Sequence, residues 1–317
     1  MTDRRLPVGD EIFLDHVGHF VADPEAASLA LARAGFAPTP ISVQVNPDPA
    51  GGPPRPTGTG NVTAMLDRGY LEVLFKTADT PLAREFDASI KRYHGLHLAA
   101  FAVADAPATH ARLARSGFRM QPLVAMQRPV DTADGEDIAA FSIVRLAPGE
   151  MPEGRIQALT HLTEHAVWQK RWLSHENGAR ALLDVVIAEA DPEEAAARFR
   201  RLLGCDTGAG LFGPAFHLDR GRVQIVAPGA LTQLFPQLAI PDLPFMAAYA
   251  IAVASLERAT ACLRAGDVDF QQHDGRVTAR FPDALGTGCW VFVEDAAVLP
   301  WRRSVEGRAP LNRAGQA

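Results

Sequence analysis

The sequence predicts an α+β fold made of four βαβββ modules, grouped in two pairs, and three observations carry that reading. Residues 14–36, LDHVGHFVADPEAASLALARAGF, are answered 82 positions later by LHLAAFAVADAPATHARLARSGF at 96–118. Val21, Ala22, Asp23, Gly35 and Phe36 map onto Val103, Ala104, Asp105, Gly117 and Phe118 by that single offset. The pattern returns at 181–204, ALLDVVIAEADPEEAAARFRRLLG, and more faintly at 246–266, MAAYAIAVASLERATACLRAG.

Each copy opens with a short apolar run whose composition suits a strand. Asp23 or Asp105 then supplies a helix N-cap; Pro24 follows Asp23 at the first helical position, and Gly35 or Gly117 stops the helix. Three further strand-like runs complete each of the first two units: ISVQV, NVTAML and YLEVLF in one, PLVAM, IAAFSIV and RIQALTHL in the other. In the third unit Asp191-Pro192 repeats the cap, and FHLDRGRVQIVAP follows. In the fourth, Ser255 takes the capping position, with VTARF and CWVFVED after it. The turn signal Asn177-Gly178 divides the chain into residues 1–176 and 177–317. The stretch NPDPAGGPPRPTGTG at 46–60 is expected to be a long loop over a cleft, because proline and glycine interrupt regular structure.

Composition bounds the partners. With 317 residues, 47% of them hydrophobic and 21% charged, the chain can bury two cores of ordinary size. A net charge of −6 offers no basic face for nucleic acid or an anionic membrane, so a small molecule is the expected partner. Cys205, Cys262 and Cys289 are too scattered for a disulfide framework, and no membrane span or secretory leader is evident, which points to the cytoplasm. No GxSxG, P-loop, HExxH or Rossmann glycine pattern is present.

Two residues stand out on the strand runs. Glu72 interrupts the apolar YLEVLF, where a buried carboxylate needs a charge partner, hydrogen bonds or a metal. His16 shares strand parity with Gly18 and Phe20, while His19 has the opposite parity and is expected to pack elsewhere.

LDHVGHFVAD at 14–23, GTGNVTAMLDRGYLEVLF at 58–75, GLHLAAFAVAD at 95–105 and THLTEHAVWQKRWLSHENGA at 160–179 resemble the vicinal oxygen chelate superfamily, and within it the glyoxalase-like domain proteins. The resemblance covers most of residues 12–203. It implies curved mixed sheets around a cleft, with first and fourth strands of paired modules supplying ligands to a divalent metal ion: iron, manganese, nickel or zinc. The ligand set so implied is His16, Glu72, His97 and His161, with Glu72 or His161 as the general base. His97 is out of register by one residue, because the offset carries His16 to Leu98, and it reaches the cleft only if a β-bulge absorbs the shift. The implied activity is that of a metal-dependent lyase, isomerase or dioxygenase acting on a small substrate through vicinal oxygens, in a monomer or homodimer. The alternative is a metal-free binding protein of the bleomycin-resistance type. The second pair offers only Asp184, Ala248, Gln224 and Glu294 at comparable places and is expected to be structural or substrate-covering.

Overall fold

The computed structural model describes residues 4–48 and 50–302. Among these residues sixteen strands form one continuous sheet. The first eight are β1 (Ile12–Phe20), β2 (Ser42–Asn46), β3 (Arg55–Met65), β4 (Tyr70–Lys76), β5 (Gly95–Val103), β6 (Val124–Thr132), β7 (Gly135–Arg145) and β8 (Arg155–His161). Their order, β1-β4-β3-β2-β6-β7-β8-β5, closes on itself because β5 also pairs antiparallel with β1. The result is an eight-stranded barrel made of two modules. Its two seams differ: β1 and β5 pair along their whole length, whereas β2 and β6 share one pairing, Val45 with Gln127.

The helices α1 (Pro24–Arg33) and α3 (Ala106–Arg115) occupy the same place in the two modules, each capped by its aspartate, whose side chain accepts the N–H of Ala26 or Ala108. Gly35 adopts φ +81° and Gly117 φ +88°, so both helices end at a residue that tolerates a left-handed turn. A helix not anticipated, α2 (Pro81–Arg92), links the modules; Thr80 caps it with Pro81 in its first turn.

The expectation of a loop over 46–60 is corrected. Residues 55–60 belong to β3, despite Pro56 and two glycines. Pro56 sits where β3 pairs with β2 alone, a position that asks for fewer ladder donors, and the bare Cα of Gly60 leaves room for the Phe75 ring.

A short helix, α4 (Glu164–Val167), leads into the second half, which comprises β9 (Ala179–Ala188), α5 (Pro192–Leu203), β10 (Thr207–Gly210), β11 (Gly213–His217), β12 (Arg222–Val226), α6 (Pro228–Leu234), β13 (Phe245–Val253), α7 (Leu256–Ala265), β14 (Phe270–His273), β15 (Arg276–Arg280) and β16 (Cys289–Val293). It repeats the βαβββ order twice, with β9 and β13 antiparallel at its centre, but β10 and β14 do not meet, so the half stays open. The largest hydrophobic cluster contains side chains from both halves, among them Val17, Leu71, Ile187 and Trp290.

His19 joins the halves. Its Nδ1 donates to the Leu285 carbonyl at 2.9 Å, and its Nε2 lies 3.0 Å from the Tyr249 hydroxyl. Tyr249 in turn accepts from the Trp290 indole at 2.6 Å. Burial lowers the His19 pKa to about 4, so the ring is neutral in this network.

Candidate functional site

All eight strands of the first barrel contribute to one cavity. Its wall includes His16, Asn61, Tyr70, Glu72, Leu98 and Gln157, with three arginines, Arg128, Arg145 and Arg155. The space is about 30 Å³, room for a water molecule or a single ion.

His16 and Glu72 are brought together as expected: His16 Nε2 lies 3.4 Å from Glu72 Oε2. Both are buried, at 2% and 5% exposure, which makes their contact part of the interior and not a solvated pair. Each is held from behind. The Asn61 amide donates to Glu72 Oε1 at 2.6 Å. His16 Nδ1 donates to Asp15 Oδ2 at 2.7 Å, and the ring stacks on Tyr70 with centroids 4.3 Å apart. A carboxylate on one ring nitrogen fixes tautomer and orientation and leaves the other nitrogen directed at the cavity, the arrangement that histidine ligands use.

Asp15 was not among the sequence candidates. Strand parity assigns it to the face opposite His16, but the β1–β5 register slips between Leu14 and His16, and Asp15 is the residue left over. The bulge turns its carboxylate inward. Burial alone would raise its pKa; the charge of His161 and the hydrogen bonds from His16 and His161 outweigh that and hold it well below the usual carboxylate range. An acid immediately before a histidine on an apolar strand is the only signal the sequence carried.

His161 differs from its expected place. Its Nε2 donates to both oxygens of Asp15 at 3.1 Å, and Trp168 packs on its ring, so it stands behind Asp15 and off the cavity wall. Nor is it the counterpart of Glu72. Glu72 pairs across with Gly18 in β1, and the equivalent pair in the second module is Gln157 with Ala100 in β5. Gln157 is therefore the residue the sequence alignment missed, by four positions.

His97 is corrected as well. A bulge does fall on it, between the pairs Gly18–Leu98 and His19–Leu96. Its Nε2, however, donates to the Tyr93 carbonyl at 2.7 Å and the ring stacks on Tyr93, while Leu98 takes the cavity position. Burial lowers its pKa to about 4.

The four positions related by the barrel's internal repeat thus hold His16, Glu72, Leu98 and Gln157. Among the described residues no group of three or more His, Cys, Asp or Glu is placed to hold a metal ion. The donors that remain still suit a divalent ion: one imidazole nitrogen, one carboxylate, and the buried Gln157 Oε1, which has no hydrogen-bond partner.

The corresponding place in the second half is filled. Asp184 accepts from the Trp301 indole at 2.7 Å and pairs with Arg302, while Gln224 is engaged by Arg222 and by backbone carbonyls. The fourth-module positions are Ala248 and, by register, Val291; Glu294 instead accepts the backbone N–H of Leu256 at the start of α7. Among its described residues the second half offers no comparable donor set.

Residues 14–203 match the model of a glyoxalase-like domain. The chain belongs to that family. The glyoxalase-like chain also shares its fold with members of the vicinal oxygen chelate superfamily. A hypothetical protein from Staphylococcus aureus is 9% identical with a TM-score of 0.63, covering 89% of this chain and 98% of its own. A mutant 4-hydroxymandelate synthase from Streptomyces coelicolor is 15% identical with a TM-score of 0.56, covering 92% and 97%. The Mn(II)-bound glyoxalase from Novosphingobium aromaticivorans is 16% identical with a TM-score of 0.53, covering 90% and 82%. At these identities the likeness is one of fold. No curated protein matches in sequence. Among the described residues no helix is long and apolar enough to cross a membrane.

Proposed function

We propose that this glyoxalase-like protein is a metal-dependent enzyme, of lyase, isomerase or dioxygenase type, acting on a small substrate that chelates through adjacent oxygens inside the first barrel. One observation carries the reading: His16 is locked by Asp15 so that its free nitrogen meets Glu72 in a buried, lined cavity. His16 and Glu72 would hold the ion, with the Gln157 amide oxygen beside them. An ion held there would supply Lewis-acid polarisation of the substrate oxygens.

The remaining chemistry belongs to the chain. Glu72 is the carboxylate on the cavity wall and is the group positioned to exchange a proton with substrate. His161 acts through Asp15 and not on substrate. Leu74, Leu98, Phe141, Ile143 and Leu159 form the apolar part of the wall and help keep bulk water from the reacting atoms.

The second reading, a metal-free binding protein, is favoured by Leu98 and Gln157 at two of the four repeat-related positions. Elemental analysis of protein purified without chelator separates the two. The enzyme reading expects near-stoichiometric metal that is lost in both His16→Ala and Glu72→Ala. A parent that takes up no ion even on reconstitution leaves the binding protein.

A further inference from the structure

Three guanidinium groups face a cavity that contains one carboxylate, Glu72. Arg155 is accounted for: its Nη2 donates to Glu85 at 2.6 Å. Arg128 and Arg145 are not. Among the described residues neither side chain makes a hydrogen bond or ion pair: Arg128 is only 8% exposed, and the half-buried Arg145 has its Nε buried without a partner. Arg145 stands directly across from Gln157 on the neighbouring strand, so the unpaired cation borders the candidate metal position.

A buried cation without a partner is unfavourable by several kcal/mol and persists only where something offsets it. Other buried or half-buried arginines find acceptors, Arg198 in Glu153, Arg302 in Asp184, Arg220 in the Arg4 and Arg5 carbonyls and Arg222 in the Gln224 side chain, whereas Arg128 and Arg145 find none among the described residues. Burial and the neighbouring Arg155 push Arg145 down to about 9, which still leaves it charged at neutral pH. Arg128 also lies in β6 one residue from Gln127, whose pairing with Val45 is the single link across the open seam to β2. A ligand larger than the 30 Å³ space would require lining side chains such as Arg128 and Met126 to move aside.

We infer that Arg128 and Arg145 form an oxyanion-binding subsite, so that the ligand of the first barrel is a small anion whose carboxylate or phosphate they clamp. A guanidinium fork matches a planar carboxylate or a phosphate by parallel N–H···O bonds, which an ammonium or an apolar wall does not, and two of them line this one cavity. The inference takes the barrel interior as the ligand site, as the proposed function does, but needs no metal.

The test is calorimetric titration of the chelator-treated full chain with malonate, inorganic phosphate and, as the neutral isostere, malonamide. The anions should bind and malonamide should not. Arg128→Met and Arg145→Met should each weaken anion binding at least tenfold, while Arg128→Lys retains part of it. Without ligand the two methionine variants should melt at the same temperature as the parent or higher, because each removes an unpaired buried charge. Tighter binding of malonate assigns a carboxylate substrate, and tighter binding of phosphate a phosphorylated one; both uphold the subsite. Anions binding no better than malonamide, or binding unchanged in the methionine variants, overturns it. Because the titration is done without metal, loss of the metal reading leaves the result standing, and failure here leaves the His16 and Glu72 site untouched.

Discussion

Glu72 and Gln157 occupy equivalent positions in the two modules of the first barrel, one opposite Gly18 in β1 and the other opposite Ala100 in β5. One module therefore retains a carboxylate where the other has its neutral isostere. Gln157→Glu restores the missing charge beside Arg145, and the affinity for Mn(II) should rise by more than tenfold. Gln157→Leu should lower it modestly. Titration of chelated protein followed by electron paramagnetic resonance measures both.

Asp15 supports two histidines at once. Asp15→Ala leaves His16 Nδ1 and His161 Nε2 buried without an acceptor, so stability should fall by about 3 kcal/mol or more. Asp15→Asn keeps the shape and an acceptor oxygen and should recover much of that loss. Its metal affinity should still be about 10- to 100-fold lower, because the histidine loses its charged support. Urea unfolding and metal titration on the same two variants separate folding from ligation.

His19 and His97 are buried neutral, each with a pKa lowered to about 4. The unfolded chain protonates both near pH 6.5, while the folded protein does not until about pH 4. Stability should therefore fall with acidification across that window, by about 1.4 kcal/mol per pH unit for each histidine. His97→Phe keeps the stacking on Tyr93 and removes one titrating group, so the slope of unfolding free energy against pH should drop by half of the two-histidine share. Metal content should not change. A parallel loss of metal would return His97 to the ligand set.

Gly266, at the end of α7, touches α1. Its φ of −85° suits any residue, but an added Cβ would lie 2.1 Å from the Arg33 carbonyl oxygen. Gly266→Ala should therefore destabilise by about 1–3 kcal/mol through overpacking alone. Gly275→Ala differs: its Cβ would meet nothing nearer than 3.6 Å, yet φ is +75°, so the cost is conformational. Thermal melts of the two variants compare contact with backbone strain.

Much of this architecture was legible because the aspartate caps, the glycine stops and the 82-residue offset are local signals that tertiary packing did not override. The facing of His16 and Glu72 toward one cavity was legible from strand parity, whereas the ligand role of His16 came only from the family resemblance. What parity cannot report is a bulge. Asp15 turns inward at one, and His97 sits at another without gaining the cavity. Gln157 was missed because a fourth strand rich in apolar residues offers several alignments to YLEVLF, and only the β5–β8 register selects among them. Arg145 was legible only as a possible ion-pair partner for Glu72, and Arg128 carried no sequence signal; barrel closure, which depends on pairing far apart in the chain, is what brings both to the cavity.

The central claim is that the first barrel holds an ion between His16 and Glu72. Crystals of the protein soaked in Mn(II) and measured near the manganese absorption edge test it directly. The account predicts an anomalous peak about 2.0–2.2 Å from both His16 Nε2 and a Glu72 oxygen, absent in His16→Ala. A peak elsewhere, or none in the barrel with the protein saturated in solution, would contradict it.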